Sequence, residues 1–225
     1  MDREKIGNAL IMAAGRGMRM MPLTKDIPKA MAPLSDSTLI EDGISKLKKY
    51  IRYIHITVGY KGSMLASHVI EQDVSSVFNT EGKGNSWWLY NTLLRHIDEP
   101  ILVLTCDNVI EMDFHKFMDD YFQLGSPACM VVPVVPVKGL EGDFIHKDEN
   151  NIVNNISRKE QSDLYCSGIQ ILNPAKINKL TKQEEDFTLI WKQLIRKKQL
   201  GCSSLITDKW YAVDNLDQLK DINRI

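Results

Sequence analysis

The chain lacks the residue pairings that mark most metal and redox proteins. Its four cysteines, Cys106, Cys129, Cys166 and Cys202, are widely separated and form no CxxC pair. That spacing argues against a structural zinc site or a thiol redox motif and suits a reducing compartment. The five histidines, His55, His68, His96, His115 and His146, show neither metal-ligand spacing nor a triad. No apolar run is long enough to span a membrane. The opening stretch MDREKIGNALIM turns from basic to apolar only briefly before reaching glycine and arginine, so no signal peptide and a cytoplasmic location are expected. An excess of either charge is also missing: 28 basic and 29 acidic residues leave a formal net charge of -1. A general nucleic-acid or membrane-surface binder needs a sustained positive field, so neither partner is expected, although a local basic pocket stays open. Repeats, low-complexity tracts and long linkers are absent too, and nothing in the sequence bears on oligomeric state.

What is present is an ordinary globular balance over 225 residues, 44% hydrophobic and 25% charged, with length enough to bury a core. Short continuous apolar runs at residues 9–13, 53–58, 74–78, 101–105 and 128–135 read as buried parallel strands. Amphipathic stretches at 39–50, 63–71, 86–96 and 114–124 read as the helices between them. Strand and helix in alternation predict an α/β fold with a mostly parallel sheet and helices on both faces. The rhythm then changes. Strands at 144–146, 152–156 and 164–172, joined by the turn-rich segment 147–151, predict an antiparallel elaboration in the second half. A helix at 184–198, a strand near 210–213 and a short helix from Leu216 complete the reading. One domain, 1–225, is expected, with a nucleotide-binding half at 1–135 and an acceptor-binding half at 136–225.

The strongest signal is ALIMAAGRGMRMMPLTKDIPKAMAP, residues 9–33. A buried strand runs into Ala13-Ala14-Gly15-Arg16-Gly17, placing a glycine-rich loop at the carboxyl edge of the sheet, where open α/β folds bind ligands. Glycines let backbone N–H groups approach phosphate oxygens, and Arg19 and Lys29 can add full positive charge. Pro22, Pro28 and Pro33 predict an extended segment between them. Two commoner motifs are excluded. The third glycine of GxGxxG would fall at Met20, and no GK[ST] follows.

The pattern AAGxGxR…PLTxxxPKxxxP resembles the signature of nucleotidyltransferases that make sugar nucleotides and related activated phosphates. The resemblance implies a Rossmann-like fold, a nucleoside triphosphate and a small phosphorylated acceptor as partners, two magnesium ions, and release of pyrophosphate. It implies that Ala13, Ala14, Gly15, Gly17 and Arg19 hold the triphosphate and that Lys29 touches the α-phosphate or the acceptor phosphate. Charge on the attacking and leaving oxygens calls for a cation. The strand 101–105 leads to Asp107, expected as a metal ligand, with Cys106 where similar enzymes carry glycine; Glu111 or Asp113 are alternatives. Asp214 in Trp210-Tyr211-Ala212-Val213-Asp214-Asn215 is the second expected ligand. Many sugar-nucleotide members carry that aspartate where this chain has Ala212, and the present arrangement is similar to CTP-using members of the phosphocholine type.

By the same resemblance Gly84, Asn85 and Ser86 face the nucleobase, with a capped helix start as the plain alternative. Trp87 and Trp88 are more simply core than base-stacking. Ile156-Ser157-Arg158-Lys159 looks like a segment reading I-x-E-K in hexose-phosphate members, which makes Lys159 a phosphate contact and Arg158 a departure suited to an anionic acceptor. Gly168 is similar to the glycine that lets an acceptor approach the backbone, or is simply required by its strand. Three functions follow as expectations. The first is transfer of a nucleotidyl group from CTP or UTP to a sugar 1-phosphate. The second is CTP-dependent transfer to a non-sugar phosphate such as phosphocholine, and the third is a catalytically silent sensing module.

Overall fold

A computed structural model describes residues 6–137, 142–207 and 209–224; the first five residues of the N-terminal stretch read above lie outside it. In chain order the elements are β1 (Asn8–Ala13), β2 (Pro33–Leu34), β3 (Ser37–Thr38), α1 (Leu39–Lys48), β4 (Tyr53–Val58), α2 (Gly62–Ile70), β5 (Ser76–Asn79) and α3 (Trp88–Asn91). There follow β6 (Ile101–Thr105), β7 (Asn108–Ile110), α4 (Phe114–Gln123), β8 (Cys129–Val134), β9 (Phe144–Lys147), β10 (Val153–Ser157) and β11 (Tyr165–Leu172). The chain ends with α5 (Pro174–Leu180), α6 (Phe187–Arg196), β12 (Leu200–Cys202), β13 (Trp210–Ala212) and α7 (Leu216–Ile222). The fold is α/β, as the alternation of patterns predicts.

Two compact units are distinguished. The first comprises Gly7–Lys83, Leu104–Ile110 and Trp210–Ile225. In it β1 pairs in parallel with β4 in unbroken register from Asn8↔Tyr53 to Ala13↔Val58, and β4 pairs in parallel with β5. Helix α1 starts at a reciprocal cap: the Thr38 side chain accepts from the Glu41 N–H, and the Glu41 carboxylate accepts from the Thr38 N–H. Leu39, Ile40, Ile44 and Leu47 recur at helical spacing and form its buried face. A small apolar cluster of Met20, Ala32, Leu34, Leu39, Val109, Val213 and Leu219 joins the segments of this unit that are far apart in sequence.

The second unit comprises Met1–Ile6, Gly84–Val103 and Glu111–Lys209. Strand β8 is buried along its whole length, antiparallel to β11 and parallel to β12. The predicted hairpin is present as β9 and β10. Helix α6 is capped by Asp186 and buries Phe187, Ile190 and Leu194.

Three expectations are corrected. The helix expected over 86–96 is interrupted: Thr92 is extended (φ -113°, ψ 172°), and its hydroxyl oxygen accepts from the Leu94 N–H to start a separate 3₁₀ turn. The helix expected over 184–198 begins only at Phe187, after its cap. The segment between Pro22 and Pro33 is not extended but coils through the 3₁₀ turns Leu23–Lys25 and Lys29–Met31. Proline is tolerated ahead of a first turn, where its missing N–H is not needed, and Pro22 and Pro28 both sit at that position.

Candidate active site

Within the first unit, β1 delivers the chain to the glycine-rich loop. Gly17 lies in the left-handed region (φ 64°), and a Cβ there would come within 2.8 Å of Lys29 Cβ and 3.2 Å of Thr24 Cγ2. The loop is therefore folded tightly onto the segment carrying Lys29. The buried Thr24 hydroxyl secures this by donating to the Gly17 carbonyl at 2.9 Å. Gly15 is different: a Cβ there would meet nothing within 4 Å. Its glycine is not demanded by the protein's own packing, which leaves open backbone for a ligand to approach.

Two carboxylates more than a hundred residues apart meet on this segment. Pairing of β13 with β7 sets Ala212 opposite Asn108, and the Val213 N–H donates to the Asp107 carbonyl at 2.9 Å. Trp210 Nε1 fixes the register by donating to Asn108 Oδ1 at 2.9 Å. Lys29 Nζ then donates to Asp107 Oδ2 at 2.6 Å and to Asp214 Oδ1 at 2.9 Å. The Arg19 guanidinium reaches the same Asp214 oxygen at 3.0 Å. The sequence neighbours of these groups hold them in place: Met20, Val109 and Val213 share the apolar cluster described above. Burying such side chains contributes about 1.5–3 kcal/mol each.

The electrostatics favour a charged cluster. Burial alone pulls the Lys29 ammonium down, but Asp107 foremost, and then Asp214, outweigh it and hold its pKa above the ordinary lysine value. The neighbouring Cys106 thiol is pushed up to about 12, by burial first and by the Asp107 charge second, which favours its neutral form. Two converging carboxylates are what magnesium takes from a protein, the rest of its shell coming from water and phosphate oxygens. Among the described residues no group of three or more histidine, cysteine or acidic side chains is placed to hold a metal. The alternatives to Asp107 are otherwise engaged: Asp113 caps α4 through the His115 N–H, and Glu111 pairs with Lys209. Asn215, not Asp214, caps α7, with Gln218 closing the box.

The remaining expected residues lie in the second unit. Gly84, Asn85 and Ser86 are fastened to the start of α6. Gly84 N donates to Glu185 Oε2 at 3.1 Å, Asn85 Oδ1 accepts from Phe187 N at 3.0 Å, and Ser86 Oγ donates to the Glu184 carbonyl at 2.9 Å. A Cβ on Gly84 would lie 1.9 Å from the Glu185 carbonyl oxygen, so that glycine is needed for packing. Trp88 is core, 1% exposed. Arg158 is exposed and paired with Asp143 at 3.1 Å. Lys159 follows it in the turn after β10, its N–H donating to Ser157 Oγ. Gly168 has φ 83° where the β11–β8 register shifts, so the bulge itself calls for glycine.

Sequence reasoning missed Tyr60. Its hydroxyl donates to the Thr24 carbonyl at 2.9 Å, and its N–H donates to the Ala14 carbonyl at 3.1 Å. The available signal was its place just after β4, at the same sheet edge as the glycine-rich loop.

With this geometry in view, residues 8–225 match the nucleotidyl transferase family, and the chain belongs to it. It is 24% identical over 205 residues to the bifunctional protein GlmU of Methanocaldococcus jannaschii, covering 86% of this chain and 48% of that protein. The chain thus spans about half the length of this curated relative. Among solved structures, a protein assigned as glucose-1-phosphate thymidylyltransferase from Bacillus anthracis superposes with TM-score 0.80 at 18% identity, over 97% of this chain and 94% of that one. CTP:phosphocholine cytidylyltransferase from Streptococcus pneumoniae superposes with TM-score 0.75 at 20% identity, over 98% and 99%. These two likenesses establish the shared fold. No helix among the described residues is long and apolar enough to cross a membrane.

Proposed function

We propose that this chain transfers a nucleotidyl group from a nucleoside triphosphate, with CTP or UTP favoured, to a sugar 1-phosphate, releasing pyrophosphate. The observation that carries the reading is the meeting of Arg19, Lys29, Asp107 and Asp214 beside the loop folded at Gly17. Family membership supports the reaction class. An acceptor phosphate oxygen attacks the α-phosphorus in line. The new P–O bond forms as the bond to the β-phosphate oxygen breaks, and pyrophosphate leaves with that electron pair. The protein does little covalent work here; positioning and charge stabilisation carry the rate.

Backbone N–H groups of the Ala14–Gly17 loop would hold the polyphosphate, and Arg19 and Lys29 would offset charge on the transferring group. Asp107 and Asp214 would hold magnesium, of which two ions are expected, supplying charge neutralisation at the polyphosphate. Gly84, Asn85 and Ser86 are proposed to line the nucleobase side, and Arg158, Lys159 and Gly168 the acceptor side. A second reading, CTP-dependent transfer to a non-sugar phosphate such as phosphocholine, is favoured by one observation: Asp214, rather than position 212, meets Lys29. Four triphosphates tested against sugar 1-phosphates and phosphocholine, scored by magnesium-dependent pyrophosphate release, separate the two. Release with none of the pairs would instead favour a silent sensing module.

A further inference from the structure

Tyr60 stands outside the charged cluster yet touches the glycine-rich loop on several sides. Its backbone approaches because Gly59 precedes it: a Cβ on Gly59 would lie 2.6 Å from the Ala14 carbonyl oxygen and 2.9 Å from Ala14 Cβ. That closeness allows the Tyr60 N–H to donate to the Ala14 carbonyl, at the loop's entry, at 3.1 Å. The phenol crosses to the exit and donates to the Thr24 carbonyl at 2.9 Å. Thr24 in turn donates through its hydroxyl to the Gly17 carbonyl. Entry, apex and exit are therefore tied by three hydrogen bonds made by Tyr60 and Thr24. The ring has a further use. The exposed guanidinium of Arg16, the residue between the two loop glycines, lies 5.1 Å from the ring centroid, and Lys61 Nζ lies 5.7 Å from it. Both distances fall within cation–π range.

A tyrosine serving only the core would turn its ring inward. Tyr60 is half-buried, and its hydroxyl is spent on a loop carbonyl rather than on the sheet. We infer that Tyr60 is a positioning residue for the triphosphate loop, holding its backbone donors in register and restraining the Arg16 guanidinium. The inference rests on the nucleotidyltransferase reading for what the loop binds, but not for what Tyr60 does to the loop.

Two variants separate the parts. Tyr60→Phe removes the bond to Thr24 and keeps the ring, whereas Tyr60→Leu removes both. Hydrogen exchange in the whole protein should quicken about three- to ten-fold within residues 14–25 in Tyr60→Phe, the worth of one net hydrogen bond. It should quicken further in Tyr60→Leu, with the rest of the chain unchanged. Unchanged exchange, or a uniform increase over the whole chain, overturns the inference whether or not the enzyme reading holds. In the active protein, KM for the triphosphate should rise about three- to ten-fold in Tyr60→Phe, with kcat within about two-fold of the parent. An unaltered KM alongside normal pyrophosphate release also overturns it. A parent protein that releases no pyrophosphate defeats the enzyme reading alone and leaves the exchange result to judge Tyr60.

Discussion

Two glycine-bearing loops, each read from sequence as part of one nucleotide site, are built on different principles. In the first, around Gly15–Lys29, full charges confront one another: two cations and two carboxylates lie within 3.0 Å contacts. In the second, Gly84–Ser86, three hydrogen bonds run to residues 184–187 at the start of α6. Charges gathered in this way can exchange partners when a polyanion and a cation arrive, whereas the second loop's bonds fix a helix start. The difference teaches that a glycine-bearing loop can accompany a gathering of charges or a brace. What separates them is whether the packing leaves backbone uncovered, as at Gly15, or fills it, as at Gly84.

The contrast breaks most directly at Lys29. Lys29→Ala should reduce pyrophosphate release about 100-fold or more, the scale of losing one preorganised charge donor. Its stability should fall by only about 1–3 kcal/mol, because Asp107 and Asp214 retain 23% side-chain exposure and can be hydrated. Steady-state rates beside a denaturant melt check this, and normal turnover in a folded variant removes the distinction.

Gly84→Ala tests the other side. With its Cβ placed 1.9 Å from a carbonyl oxygen, it should cost about 1–3 kcal/mol of stability, read from a denaturant melt. An unaltered melt would contradict the packing assigned to this loop, and weakened triphosphate binding would support its proposed nucleobase contact. The two glycines of the first loop sharpen the point further. Gly17→Ala should cost about 1–3 kcal/mol from its φ of 64° and its contact with Lys29, while Gly15→Ala should stay within about 0.5 kcal/mol yet weaken triphosphate binding. Equal melts for both would contradict the packing argument.

The smallest expected effect comes from a polar group of the first unit that is bonded like the second loop. His55 is nearly buried between Ser76 Oγ at 2.8 Å and Asn8 Oδ1 at 3.1 Å, and burial lowers its pKa from 6.5. Well above pH 6.5 the ring is neutral in both folded and unfolded chains. As pH falls through that value the unfolded chain gains the proton first, so stability declines until the lower folded pKa is reached. Melting temperature should therefore drop more steeply below pH 6.5 in the parent than in His55→Gln, and parallel profiles would refute it.

Much of the fold was legible because its signals were local. The continuous apolar run at 53–58 and the heptad-like spacing of Leu39, Ile40, Ile44 and Leu47 each encode their element without help from elsewhere. The charged cluster was legible in residue type, since Arg19, Lys29, Asp107 and Asp214 were all singled out and the structure brings them together. Other features depend on pairing across the chain. The short strand Asn108–Ile110 exists because Trp210–Ala212 pairs with it, and three residues carry too little pattern to announce themselves. Helix α5 carries a local signal that was passed over, Asn173 as cap and Pro174 in the first turn. The break at Thr92 depends on a threonine choosing its own hydrogen bonds over helix continuity, which periodicity does not register.

The central claim is that Asp107 and Asp214, drawn to one ammonium, form a magnesium-dependent polyphosphate site. The direct measurement is pyrophosphate release against magnesium concentration for the parent, Asp107→Asn and Asp214→Asn. The account predicts saturable release in the parent and a rate lower by about 100-fold or more in both variants at the same magnesium. Full release from either folded variant, or release indifferent to magnesium, would contradict it.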